Sequence, residues 1–223
     1  MNLKEFVKDQ YEAEKAIIGT ILADGSISYS RRNSKGSLEV THTARNLDYL
    51  KLKKEMLELI DGVTCAIKPK NKVTPEKTYE LFRLSTNNHD IFSKYRDLLY
   101  VKSNDKRVKI LPTSVLNDMS DFGLFLMYLD DGTIRVRFYD GTNKVRETRI
   151  TLCLDSFRIE ELVAMRKWFE DRYDISPNIN KHGSGFRLVF NTQKTKDFLN
   201  IISKYQDLVP SMKYKFLEYY NLS

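Results

Sequence analysis

The feature that most constrains this chain is a near-copy of one segment inside itself. Residues 17–27 read IIGTILADGSI, and residues 124–134 read LFLMYLDDGTI. Each is an apolar run closed by an Asp-Gly pair, Asp24-Gly25 and Asp131-Gly132. The landmarks downstream keep step. Phe82-Arg83-Leu84 follows Asp24 at nearly the spacing with which Phe186-Arg187-Leu188 follows Asp131. Lys109 lies almost as far past Asp24 as Lys215 lies past Asp131. Parallel spacing over such a length argues for duplication, so two halves should share one fold about a pseudo-twofold axis. The period is too long for a stacked solenoid unit.

Each half reads as helix, two strands, helix, two strands, helix. The first helices are 9–23 and 120–130, and the second are 46–60 and 158–173. In the latter, Leu162, Met165, Trp168 and Phe169 fall near helical spacing. Strands 64–70 with 78–85, and 176–181 with 185–190, precede closing helices at 88–99 and 192–205. The expected class is therefore α+β, with two pseudo-symmetric αββαββα halves at 1–100 and 120–223. Between them, 101–119 forms a linker, polar and basic at first and then broken by Leu111-Pro112. A last helix is expected at 211–221. The glycine after each motif aspartate suits a left-handed helix cap.

Composition narrows the class further. Of 223 residues, 41% are apolar and 12% aromatic, which excludes wholesale disorder. The longest apolar run, 16–23, is too short to span a membrane. Cys65 and Cys153 supply neither a disulfide framework nor a four-cysteine zinc site. The charged segment 1–12 has no secretory core, so an intracellular, non-secreted protein is expected. The net charge of +7 admits nucleic acid as a partner without establishing it.

The strands sharpen that reading. In 133–139, Ile134, Val136 and Phe138 alternate with Arg135, Arg137 and Tyr139. In 147–154, Ile150, Leu152 and Leu154 alternate with Glu147, Arg149, Thr151 and Cys153. Such alternation means one face packs on helices while the other meets solvent. In the first half the same parity puts Ser28, Ser30, Arg32, Glu39, Thr41, Thr43, Lys68, Lys70 and Arg83 outward. In the second it adds Asn178, Asn180, His182 and Arg187. Arg, Asn and Thr read base edges in a major groove, and a two-stranded ribbon fits there. A polar solvated sheet face explains one such pattern; its presence in both halves favours DNA.

Asp24 and Asp131 end apolar helices, where the macrodipole disfavours a carboxylate and a compensating cation is wanted. If the two helices pack along the pseudo-twofold axis, both acids meet at one end. Paired carboxylates suit Mg²⁺ and in-line phosphodiester cleavage. Ala16, Gly19 and Ala23 offer small residues for close packing in the first helix. The second is bulkier there, with Leu126, Met127 and Asp130.

The two motifs, with Leu-Asp-Ser-Phe at 154–157, Lys-Ile-Leu-Pro at 109–112 and Val-Pro-Ser-Met-Lys-Tyr-Lys at 209–215, resemble the LAGLIDADG homing endonucleases. The likeness is to the single-chain, double-motif branch, and it runs from about residue 11 to 215. It implies that the motif helices form the interface between halves and that the antiparallel sheets make a DNA-binding saddle. It also implies metal ligation by Asp24 and Asp131, with backbone oxygens of Ala23 and Asp130 assisting, and solvent polarisation by Lys109 and Lys215. A polar second-strand residue joins the water network, Thr41 or Thr43 in one half and Thr151, Cys153 or Asp155 in the other. The histidines His42, His89 and His182 are scattered and read as structural or DNA-facing. The expected protein is a Mg²⁺-dependent monomeric nuclease, intron-encoded or free-standing, leaving short 3′ overhangs at a long asymmetric site. The rival readings are an RNA maturase acting on intron RNA and a non-catalytic DNA-binding regulator.

Overall fold

The computed structural model describes residues 2–29, 35–70, 72–73, 78–103, 106–142 and 144–217. Helix α1 (Gln10–Leu22) starts where the Asp9 carboxylate accepts from the Glu12 amide at 2.9 Å, an N-cap that fixes the first turn. Strands β1 (Ser26–Tyr29) and β2 (Gly36–Thr43), helix α2 (Leu47–Leu57) and strand β3 (Cys65–Pro69) follow. A short ribbon, β4 (Lys72–Val73) with β5 (Thr78–Tyr79), leads to β6 (Leu81–Thr86) and α3 (Asp90–Leu99). The connection carries a hairpin, β7 (Tyr100–Ser103) with β8 (Lys106–Lys109), and helix α4 (Thr113–Asp118). The second half is α5 (Asp121–Asp131), β9 (Gly132–Phe138), β10 (Val145–Leu152), α6 (Ile159–Tyr173), β11 (Asn178–His182), β12 (Gly185–Phe190) and α7 (Thr192–Ile202). Ser120 caps α5 as Asp9 caps α1, accepting from the Gly123 amide at 3.1 Å. Among the described residues no helix is long and apolar enough to cross a membrane.

The two halves form equivalent antiparallel sheets, ordered β1-β2-β6-β3 and β9-β10-β12-β11. Leu84 on β6 lies opposite Val40 and Ile67, and Leu188 on β12 lies opposite Leu152 and Ile179. These apolar partners turn toward the helices, while their polar neighbours turn away. Thr41, Arg83 and Lys68 make one outward row in the first sheet. Arg187 beside Asn180 makes its counterpart in the second.

Over Ala16 to Leu22 and Phe122 to Leu129, α1 and α5 are buried on every side, because both are enclosed there. They cross in backbone contact. A Cβ on Gly19 would stand 1.7 Å from the Gly123 carbonyl oxygen, and one on Gly123 would stand 3.0 Å from that of Lys15. The second helix thus has its own small residue, Gly123, lying ahead of the bulky positions compared at the sequence level.

Three expectations change. The glycines after the motif aspartates are not left-handed; Gly132 has φ −85° and ψ 147°, and Gly25 is absent from the positive-φ glycines. They are glycines because space demands it. A Cβ would lie 2.6 Å from the Thr20 carbonyl oxygen at Gly25, and 2.1 Å from the Tyr128 ring at Gly132. The expected linker contains the β7–β8 hairpin and α4. In place of a helix over 211–221, the chain makes a 3₁₀ segment, Pro210–Lys215, with Pro in its first turn, and it turns Lys215 inward; residues 218–223 of that expectation lie outside the described residues.

Replacing Gly19 by Ala should separate the helices at a cost of ~3 kcal/mol or more, a fall of roughly 6–12 °C in Tm for a chain of this size. Gly183→Ala, with φ +57° but nothing within 4 Å of the new Cβ, should cost only ~1 kcal/mol. Thermal melts of both variants check this, and an unchanged Tm for Gly19→Ala rules out the backbone contact.

Candidate active site

The helix ends meet where the sequence places its acids. Asp24 follows the α1 C-terminus with its side chain 44% exposed, and Asp131 ends α5 half-buried. The cation that the helix dipoles demand is supplied by the chain itself. Lys109, at the end of β8, donates to the carbonyl oxygens of Leu22 at 3.3 Å, Ala23 at 2.9 Å and Gly25 at 3.1 Å. Lys215 donates to those of Leu129 at 2.6 Å and Gly132 at 2.7 Å. Each ammonium therefore caps one motif helix by satisfying carbonyls left without intrahelical partners. The Tyr128 hydroxyl donates to the Lys215 carbonyl and holds that segment in place. The hairpin and the 3₁₀ turn, both unexpected, are what deliver the two lysines.

With the lysines committed to backbone oxygens, neither carboxylate has a hydrogen-bond partner among the described residues. Burial pushes the Asp131 carboxyl up to about 7, and the Asp24 and Asp130 charges add to the effect. Burial, then the Asp130 charge, also raises Asp24. Burial lowers Lys109 and Lys215 despite the surrounding carboxylates. Two oxygen donors at converging helix ends, close enough that the Asp24 charge raises Asp131, fit a hard divalent cation. Asp24 and Asp131 are the residues that would hold it. The Ala23 carbonyl, expected to assist, accepts from Lys109.

Asp130, expected to assist through its backbone oxygen, also brings its side chain to the site. Its side chain is wholly buried and accepts from Lys53 Nζ at 2.8 and 2.7 Å through both oxygens. His42 Nε2 lies 3.4 Å from the same carboxylate. Burial alone would raise Asp130, but Lys53 and His42 outweigh it and hold the carboxyl below its ordinary range. His42 Nδ1 stands 3.9 Å from Asp24 Oδ2. Sequence reasoning passed over Lys53 and left His42 among the scattered histidines. The signal was parity. His42 falls on the inward face of β2, between outward Thr41 and Thr43. Lys53 sits in the buried stripe of α2 with Tyr49, Leu50 and Met56. A buried lysine requires a buried acid, and the extra Asp of the second motif supplies it. The other histidines lie elsewhere: His89 Nδ1 caps α3 by accepting from the Ile91 amide at 3.2 Å, and His182 Nδ1 lies 3.0 Å from Asp155.

The outward faces hold the residues expected to meet DNA. Ser28, Glu39, Thr41, Thr43, Lys68, Lys70 and Arg83 share the first sheet's face, and Ser30 and Arg32 lie outside the described residues. Arg135, Arg137, Arg149, Thr151, Asn178, Asn180 and Arg187 share the second, with Tyr139 exposed just past β9 and His182 at the β11 end. Several of the cations are already paired. Arg83 lies 3.5 Å from Glu39, Arg137 lies 3.3 Å from Glu147, and Arg187 lies 2.8 Å from Asp155. Arg135, exposed and opposite Arg149, has no ion pair among the described residues.

The raised Asp131 has a consequence for stability. Its folded-state pKa near 7 exceeds the unfolded value of ~3.9. The folded chain thus binds a proton that the unfolded chain releases, and stability falls as pH rises from about 4 through about 7. Metal-free Asp131→Asn should therefore melt above the parent at pH 8 and close to it at pH 4. Calorimetry at the two pH values checks this, and equal melting temperatures at pH 8 would contradict the raised pKa.

The LAGLIDADG DNA endonuclease family profile matches residues 14–198. Comparison with curated protein sequences gives no match. Among solved structures, the homing endonuclease I-WcaI bound to its DNA recognition sequence is similar at TM-score 0.76 and 20% identity, over 96% of this chain and 91% of that one. The LAGLIDADG meganuclease I-AabMI bound to uncleaved DNA gives 0.54 at 11%, over 93% and 88%. The N-terminal LAGLIDADG domain of DUF199/WhiA gives 0.51 at 15%, over 87% and 82%. At these identities the structures establish the fold, and the profile establishes kinship: the chain belongs to the LAGLIDADG DNA endonuclease family.

Proposed function

We propose that this chain is a site-specific endonuclease that cuts both strands of a long asymmetric DNA duplex, using Asp24 and Asp131 to hold Mg²⁺. The observation that carries the reading is the convergence of the two carboxylates at the ends of crossing helices, each helix end capped by a lysine. A divalent ion bound there supplies the Lewis acidity that phosphodiester hydrolysis needs. The chain supplies the rest. Asp24 and Asp131 concentrate negative charge at a desolvated point, where ion binding relieves their repulsion. Lys109 and Lys215 keep the helix ends rigid and place positive potential beside the scissile phosphates. The two sheets bind one half-site each, about one turn of duplex apiece.

Their outward residues differ, with Ser, Thr and Lys prominent in one half and Arg and Asn in the other, so the target should be asymmetric. One chain carries both motif acids, so a monomer suffices. The family likeness implies short 3′ overhangs. Paired sheet arginines sharpen recognition. Arg83, Arg137 and Arg187 must leave or share Glu39, Glu147 and Asp155 to reach a base, which penalises binding wherever the base cannot replace the carboxylate.

The test is selection of cleaved duplexes from a randomised pool with Mg²⁺, followed by assay of Asp24→Asn and Asp131→Asn on the selected target. Both variants should lose double-strand cutting by ~1,000-fold or more while still retarding the duplex in a gel. Undiminished cleavage by both would sink the assignment. Binding of the selected duplex should also weaken ~100-fold or more between about 50 and 200 mM salt, as expected when about four or more phosphates are neutralised. A flat salt response in a fluorescence titration would show that the outward cations do not meet the DNA backbone.

A further inference from the structure

The charged trio His42, Asp130 and Lys53 breaks the pseudo-symmetry at one place. Val40 pairs with Leu84, and Leu152 pairs with the matching Leu188, so β2 and β10 correspond with Val40 matched to Leu152. Carried along the chain, that correspondence takes His42 to Leu154 and Lys53 to Met165, both buried. The motif alignment takes Asp130 to Ala23. One side of the axis thus carries an imidazole, a carboxylate and an ammonium where the other carries Leu, Met and Ala.

The imidazole is fixed by its neighbours. Its side chain is 8% exposed and packs at a tilt against Tyr49, 5.0 Å between centroids. Nε2 faces the Asp130 carboxylate at 3.4 Å, which can only accept, and Lys53 Nζ at 3.4 Å, which can only donate. In the tautomer that donates from Nε2 to Asp130, Nδ1 keeps its lone pair. That lone pair faces Asp24 Oδ2 across 3.9 Å, too far for a hydrogen bond. Two acceptors opposed across such a gap leave room for a Lewis acid. The separation is less than two metal–ligand bonds of ~2.1 Å laid end to end. A histidine that ligates a metal through one nitrogen commonly donates through the other to a carboxylate. Asp130 is that carboxylate, and both its oxygens already accept from Lys53.

We propose that His42 Nδ1 is a metal ligand beside Asp24, oriented by Asp130 and Lys53, so that this half of the site takes a mixed nitrogen and oxygen donor set that the Asp131 half lacks. The inference rests on the reading of Asp24 and Asp131 as metal-holding acids. It predicts that a borderline cation such as Co²⁺, which favours imidazole, binds the Asp24 side in preference to the Asp131 side, whereas Mg²⁺ is nearly indifferent to His42.

The test titrates Co²⁺, and separately Mg²⁺, into the metal-free full chain, reading affinity by calorimetry and the three histidine rings by NMR. Co²⁺ should shift the His42 ring at the lowest metal concentrations. His42→Leu, which installs the residue found across the axis, should weaken Co²⁺ binding by ~30-fold and Mg²⁺ binding by less than about 3-fold. If that variant folds poorly, H42L/K53M/D130A, which copies the apolar side completely, keeps the test open, since exchanging a buried ion pair for apolar residues is often neutral. It should show the same selective loss. Co²⁺ binding that leaves the His42 ring unmoved, or equal weakening of both metals, overturns the proposal. Mg²⁺ binding undiminished by Asp24→Asn and by Asp131→Asn is a separate result that overturns the parent reading, and this one with it.

Discussion

Where α1 crosses α5 the two backbones touch, and the rest of the site is arranged around that contact. Gly19 and Gly123 let the helices approach closely enough that their C-terminal ends converge. Gly25 and Gly132 then let the chain leave each helix through space already filled by Thr20 and Tyr128. None of these four glycines has a positive φ. Their common property is the missing side chain, so the demand on them is steric. An apolar helix surface is what lets this crossing sit at the centre of the molecule, and the sheets are carried on either side of it.

The convergence creates an electrostatic problem that the chain solves only in part. Carbonyl dipoles at two helix ends and the carboxylates Asp24, Asp130 and Asp131 crowd one region. Lys109 and Lys215 answer the dipoles, and Lys53 answers Asp130. Among the described residues no hydrogen-bond donor answers the Asp24 or Asp131 carboxylate; burial raises both, with the Asp130 charge adding at Asp24 and the Asp24 and Asp130 charges adding at Asp131. A site that leaves two carboxylates unpaired while pairing the third is organised to gain free energy when a cation arrives.

Much of this was legible in the chain. The starts of the motif helices at Asp9 and Ser120, their apolar character and the strand parity follow from local pattern, and the duplicated spacing ties Lys109 and Lys215 to their motifs. What escaped detection depended on contacts between distant segments. Lys53 looks like an ordinary surface lysine in α2 until Asp130, from the other half, is seen to accept both its bonds. The 3₁₀ turn Pro210–Lys215 is helical in composition, yet the need to bring Lys215 to the end of α5 overrides propensity. The reason for glycine after each motif acid was read as torsional because a sequence shows turn preference and hides crowding.

The Lys53–Asp130 pair joins the two halves across the axis and has no mirror image. Two copies of the first half associating as an isologous dimer would set Lys53 against Ala23, and two copies of the second would set Asp130 against Met165. Either arrangement strands a buried charge, a defect costing several kcal/mol. The interface is thus heterologous in chemistry though nearly twofold in shape. Recombining halves between relatives would succeed only when the lysine and the extra aspartate travel together, so this one ion pair acts as a mating key between the duplicated halves.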